Sequence, residues 1–274
     1  MIRGLIVSGD DLGLHEAINR GVIEAHEHGI VTSASIVPCG SAFDDACRLA
    51  ARTETLDLGV HLTLVEEKPL LSSIILNSLA PEGQLPRNYR QLFVGLLKGH
   101  IDLIEIEKEL EAQIHRVLDA GLTVSHLDSH QHTHFFPPLR KVFLDLATRH
   151  GIKGIRASRK VVPGGTKFSL LLQPLARGFA RAARTRGLGT PDVLWLPSPS
   201  GHVTVTQLLK GLPKLPEGIT EVVVHPGTDQ KALARRYPDW GFKWEQELAA
   251  LKAIDVREAL SKNHVRLTRY SELH

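Results

Sequence analysis

The sequence predicts an α/β protein: a TIM-barrel-like (β/α) barrel, distorted or incomplete. Three observations carry that prediction. Short runs of Val, Ile and Leu alternate with longer amphipathic stretches, the pattern of parallel strands joined by helices. The chain has 274 residues, within the range of one such barrel. Several strand-like runs end in chemistry-bearing side chains: Asp10 and Asp11, His61, Asp128 with His130, and His225. In a parallel barrel the carboxyl ends of all strands share one face, where sites are built. An open doubly wound sheet is the alternative. No repeat or linker interrupts residues 1–274, which read as one domain.

"IRGLIVS" (2–8) reads as a buried strand. Residues 15–29 read as a helix, with Leu14, Ala17, Ile18, Val22 and Ala25 on one stripe and Gly29 as its stop. "IVTSASIVP" (30–38) is β-branched and reads as the second strand, followed by a helix near 41–52 and a strand at 56–62. Residues 65–98 are broken by Pro69, Pro81 and Pro86 and read as a long loop with short helical pieces; such loops are often functional. A helix over 101–120 follows, then the strand "LTVSHLD" (122–128). Pro137 and Pro138 suit the first turn of a helix running to His150. Four more strands are predicted at 152–158, 193–198, 221–225 and 264–270, with helices near 170–186, 204–211 and 243–262.

Composition is that of a globular chain, 42% apolar and 23% charged. The start of the chain lacks a basic leader with a long apolar stretch, and no run reaches the ~18–20 apolar residues of a bilayer span. Cys39 and Cys47 have no metal-type spacing and are expected as reduced thiols. These features predict a cytoplasmic protein, with no nucleic-acid partner. Oligomeric state is open, a homodimer being one candidate. Residues 146–191 hold ten Lys and Arg and no Asp or Glu, which suggests an anionic partner or a solvated basic face.

Each polar strand end also has an ordinary structural use. Paired Asp residues cap helices and shape turns. A lone His is more often a satisfied structural residue than a ligand. Joint placement at strand ends favours a site, because two carboxylates and two imidazoles supply metal ligands plus a general base. His100, His115, His150, His264 and His274 show no partner of note.

"SHLDSHQHTH" (125–134) packs four histidines into ten residues. If extended, His126, Asp128, His130, His132 and His134 share a face, but His126 and His134 would stand roughly 26 Å apart. Zinc–nitrogen bonds are ~2.0–2.1 Å. One ion can therefore use one of these residues, or two neighbours. The rest must orient ligands, line a pocket or pack.

The segments "SGDDLGL" (8–14), "IVTSAS" (30–35), "GVHLTL" (59–64), "HLDSHQHTH" (126–134) and "VVVHPG" (222–227) resemble those of the YdjC-like carbohydrate deacetylases, a family that includes chito-oligosaccharide and hopanoid-linked deacetylases. The resemblance runs in order along almost the whole chain and is weakest over 65–100 and 155–200. It implies one divalent metal (Zn, Mg, Co or Ni) held by Asp11, His61 and His130. It implies Asp10 as the general base and His225 as the histidine that assists the leaving amine. His126 and Asp128 then stand behind the ligands, and His132 and His134 become candidates for the pocket wall, His134 the better placed. The implied substrate is an N-acetylated sugar, soluble or lipid-linked as in hopanoid glycolipids, and the implied product is acetate.

The stretch 168–187 adds Arg177, Arg181 and Arg184 on one helical face and Leu172, Leu175 and Phe179 on another. Such a helix suits peripheral contact with an anionic membrane, or an ordinary barrel helix with its apolar side inward. Trp195, Trp240 and Trp244 are candidates for stacking on sugar rings. A different metal hydrolase and a non-enzymatic metal or sugar binder are the readings from other classes. The mid-chain position of the His-x-His pattern argues against the first, and the complete Asp, His, His set against the second.

Overall fold

In the computed structural model, which describes residues 3–163, 167–197 and 201–273, the strands join one parallel sheet. They are β1 (Arg3–Leu12), β2 (Ser33–Ile36), β3 (Asp57–Leu62), β4 (His126–Ser129), β5 (Gly154–Ile155), β6 (Lys160–Pro163), β7 (Val193–Leu196), β8 (Gly218–Val224) and β9 (Val265–Leu267). The order is β5-β4-β3-β2-β1-β8-β7-β6. β9 joins β1 at Arg3–Leu5, on the edge that β2 takes over from Ser8. The sheet curls into a distorted TIM-like barrel. Between β5 and β7 the wall is held by one bridge, Gly154 to Gly189. All eight predicted strands are present, and β6 is an additional one.

The helices are α1 (Glu16–Glu27), α2 (Phe43–Ala50), α3 (Tyr89–Leu97), α4 (Leu103–Asp119), α5 (Arg140–Arg149), α6 (Lys167–Thr185), α7 (Val205–Gly211), α8 (Gln230–Arg236), α9 (Trp244–Lys252) and α10 (Ile254–Lys262). The stripe predicted for α1 is buried. The helix predicted over 243–262 is two, because Ala253 leaves helical geometry (φ −62°, ψ 130°). α4 organises the long loop before it. Its buried Glu109 accepts from the backbone N–H groups of Leu70 and Leu71, Glu105 from those of Ser78 and Leu79, and Gln113 bonds both backbone groups of Thr63.

α6 turns its apolar side to the core: Ala176, Phe179, Ala180 and Ala183 are fully buried, while Arg177 and Arg181 are exposed. The side chain of Leu172, part of the predicted stripe, lies outside the described residues. The basic segment is also less free than its composition suggests. Arg149 pairs with Glu107 and Glu111, Arg184 with Asp192 and Arg186 with Asp145. Arg156 is wholly buried. No helix among the described residues is long and apolar enough to cross a membrane.

Candidate active site and metal centre

Successive residues of a regular strand face opposite ways. Asp10 and Asp11 escape this rule through a bulge: Gly9 pairs with Ala34 and Leu12 with Ile36, so β1 spends one residue more than β2. Asp11 takes a left-handed φ of 69° there. Both carboxylates consequently reach His61, at 4.0 Å for Asp10 and 3.5 Å for Asp11. Asn19 steadies the turn by accepting from the backbone N–H of Gly13.

His61, from the end of β3, is fixed by Asp128 on the adjacent β4, where the two residues are in register. Its Nδ1 lies 2.8 Å from Asp128 Oδ1. An ionised carboxylate only accepts, so Nδ1 donates, and in the neutral imidazole Nε2, facing Asp11, keeps its lone pair. His130 follows β4 directly, and its Nδ1 lies 3.0 Å from Asp11 Oδ1. Its Nε2 lies 3.0 Å from Glu66.

The potential ligand atoms of Asp11, His61 and His130 all lie within 4.8 Å of one another, and the three residues are buried. The atoms of Asp10, His61 and Asp128 are equally close. Charge separates the two groups. Arg156 bonds both oxygens of Asp10 (2.6 and 2.7 Å) and lies 2.7 Å from Asp128. Those carboxylates already share a fixed cation, whereas Asp11 has none. The donor set of the first group, one carboxylate and two imidazoles, one of them oriented by Asp128, fits a zinc-, cobalt- or nickel-type ion.

Titration follows the same logic. Burial raises the Asp11 carboxyl, but His130 and then His61 and His225 hold it well below the usual range. Burial opposes charge on His130, yet Asp11 and Glu66 push that imidazole up to about 10. Burial likewise opposes charge on His61, and Asp128 and Asp10 override it and raise it. The pocket thus favours positive charge between these groups, as proton or as metal ion.

These side chains form the floor of a cavity of about 620 Å³, whose wall includes Glu66, Tyr89, His132, His225, Trp240 and Phe242. A YdjC-like family model matches residues 4–262. A carbohydrate deacetylase of Geobacillus stearothermophilus is 30% identical over 276 residues, covering 100% of this chain and 99% of that protein.

The chain belongs to the YdjC-like protein family.

A carbohydrate deacetylase of Thermoanaerobacter pseudethanolicus is also 30% identical to this YdjC-like chain, with 98% of each covered. Among solved structures, a candidate cellobiose-phosphate cleavage protein of Enterococcus faecalis aligns with a TM-score of 0.82 at 25% identity, covering 100% of this chain and 99% of that one.

The histidine run of this YdjC-like protein does not stay extended. β4 ends at Ser129, and Gln131 and His132 both take φ of 53°, which turns the chain back. His130 and His132 consequently line the cavity. The sequence favoured His134 for the pocket wall, and the structure corrects this. His134 is fully buried behind the turn among Phe135, Phe143 and Phe179, bonded to Ser129 Oγ at 2.6 Å. Burial there, with His132 adding to it, pushes its imidazole well below the usual value. Burial, reinforced by Arg156, takes His132 to about 3. His126 stacks on Tyr270 at 3.8 Å, and its Nδ1 lies 2.9 Å from Ser125 Oγ. Burial lowers it to about 4.

His225 follows β8, its ring 4.7 Å from Phe242 and its backbone N–H bonded to Glu247. Of the three tryptophans, Trp240 alone lines the cavity, 5.4 Å from the His130 ring; Trp195 and Trp244 are core. Sequence reasoning missed Arg156, Ser35, Glu66, Glu221 and Glu247. Ser35 Oγ bonds Asp128 and lies within bonding distance of His61 Nδ1 and Asp10. For Arg156 a signal existed, since "IKGIRAS" puts an Arg at a strand end, but its basic surroundings made it read as surface. Cys39 and Cys47 are free thiols, pushed up by burial to about 12 and about 11.

Proposed function

We propose that this protein is a metal-dependent carbohydrate N-deacetylase that releases acetate from an N-acetylated amino sugar. One observation carries the reading: Asp11, His61 and His130 converge within 4.8 Å on the cavity floor, beside an Asp10 clamped by buried Arg156. Full-length similarity to proteins named carbohydrate deacetylase supports it.

A bound divalent ion supplies Lewis acidity at the acetyl carbonyl and acidifies a water. Asp11, His61 Nε2 and His130 are the groups that would hold it. Asp10 accepts the proton of the attacking water, with Arg156 fixing the carboxylate in place. His225 donates a proton to the departing amine from the β8 side of the cavity. Trp240 and Phe242 offer apolar faces for a sugar ring.

For the lipid-linked form of the substrate, the support lies at the rim. α3 carries Tyr89 and Arg90 on the cavity, and farther along it Val94 and Leu97 are exposed, as are Leu103 and Ile104 of α4. An acetate-release assay on N-acetylglucosamine, chito-oligosaccharides and lipid-linked N-acetylglucosamine, with zinc, cobalt, nickel and magnesium varied, tests both levels. Release from one of these substrates is expected. No release from any substrate with any metal refutes the deacetylase. Release from the soluble sugars alone refutes the lipid-linked form.

A further inference from the structure

Glu111, His115 and His150 meet on the outside of the barrel, and none of them lines the active-site cavity. Glu111 and His115 are one turn apart on α4, so their side chains share a face. His150 caps the C-terminus of α5, which packs alongside. Its ring meets that of His115 edge-on at 5.0 Å. We propose that these three residues form a second metal site, for a zinc-, cobalt- or nickel-type divalent ion.

Three features point to a shared ion rather than to a surface ion pair. The candidate donor atoms all lie within 4.8 Å of one another. His150 Nε2 lies 3.4 Å from Glu111 Oε1, and bonds of ~2.0–2.1 Å at a tetrahedral ion set neighbouring ligand atoms ~3.3–3.4 Å apart. The His150 side chain is only 10% exposed, yet its Nε2 is cut off from solvent and makes no hydrogen bond in good geometry. A buried nitrogen whose one polar neighbour, Glu111 Oε1 at 3.4 Å, is poorly aligned keeps a desolvation cost that a metal ion would remove.

Arg149 is the competing cation. It donates to Glu111 Oε1 and to Glu107, at 2.7 Å each. Two carboxylates against one guanidinium leave a net charge of −1, so the cluster still attracts a dication. Arg149 also fixes the Glu111 carboxylate in place. Two imidazoles select a borderline metal over magnesium or calcium, which prefer oxygen. His115 is exposed, so water can complete the coordination. Such an ion would tie α4, whose inner face holds the 65–88 loop, to α5, which follows the histidine turn.

The test is a zinc titration of the demetallated full-length protein by calorimetry, comparing wild type with His115→Ala and Glu111→Gln. Wild type is expected to bind one zinc equivalent more than either variant. Because the readout is a difference, it holds whatever the active site binds, and it fails separately from the deacetylase reading. His115 is exposed, so its variant should fold, which circular dichroism checks. Equal stoichiometry in wild type and both folded variants overturns the proposal.

Discussion

Asp10 and Asp11 are chain neighbours with different electrostatic fates. Asp10 is gripped at both oxygens by Arg156, while Asp11 faces two imidazoles. Asp10→Asn is therefore expected to lower kcat by ~10²–10⁴-fold with metal content unchanged, the range for losing a general base. Steady-state kinetics beside metal analysis checks it, and an undiminished kcat would remove Asp10 from the mechanism. Glu221 yields a pH signature. It bonds Arg156 Nε at 2.9 Å, yet burial takes its carboxyl up to about 7. A folded value above the unfolded ~4.3 means that the stability it contributes is complete below about pH 4 and lost as pH rises through about 7. Wild type should lose up to about 4 kcal/mol relative to Glu221→Gln over that interval, read from urea midpoints. Parallel curves would contradict the assignment. At this scale the sequence revealed residue types but not partners. Its motifs singled out Asp11, His61 and His130, but the buried role of Arg156 depends on carboxylates on three other strands.

Among the elements, those with a broad apolar stripe or a β-branched run were legible. α3 and α8 were not; each buries a single residue, Leu92 and Leu233 respectively, and α7, which buries only Leu208, was legible with the help of its Thr204–Gln207 capping pair. The bulge in β1 and the left-handed pair after His130 were invisible for a different reason. Gly9 stands at the start of the bulge, but the left-handed residues themselves are Asp11, Gln131 and His132, none of them a glycine that would mark the turn. Close approach of elements also shapes the site. A Cβ on Gly21 of α1 would stand 2.4 Å from Gly227 Cα, in the loop that begins with His225. Gly21→Ala is expected to cost about 1–3 kcal/mol. It should also lower kcat by displacing His225 while leaving metal content intact. Thermal unfolding and kinetics on the same sample test this, and a variant equal to wild type in both would show that the loop yields freely.

For the whole molecule, parallel topology does the assembling. It gathers the ends of β1, β3, β4 and β8 on one face, so residues from Asp10 to His225 share a cavity. That convergence was legible from strand alternation alone, whereas the irregular wall between β5 and β7 was not. If Asp11, His61 and His130 hold an ion as proposed, the fold closed around these buried residues should also be stabilised by it. At a free metal concentration of ~100 Kd the gain is about 2.7 kcal/mol, so chelation is expected to lower Tm. A Tm unchanged by chelation, with metal loss verified, would argue against a metal bound within the core.

The most direct measurement of the central claim is acetate release from an N-acetylglucosamine substrate by one preparation as isolated, after demetallation, and after zinc is restored. The account predicts activity, then loss, then recovery. Undiminished acetate release from the fully demetallated protein would contradict it.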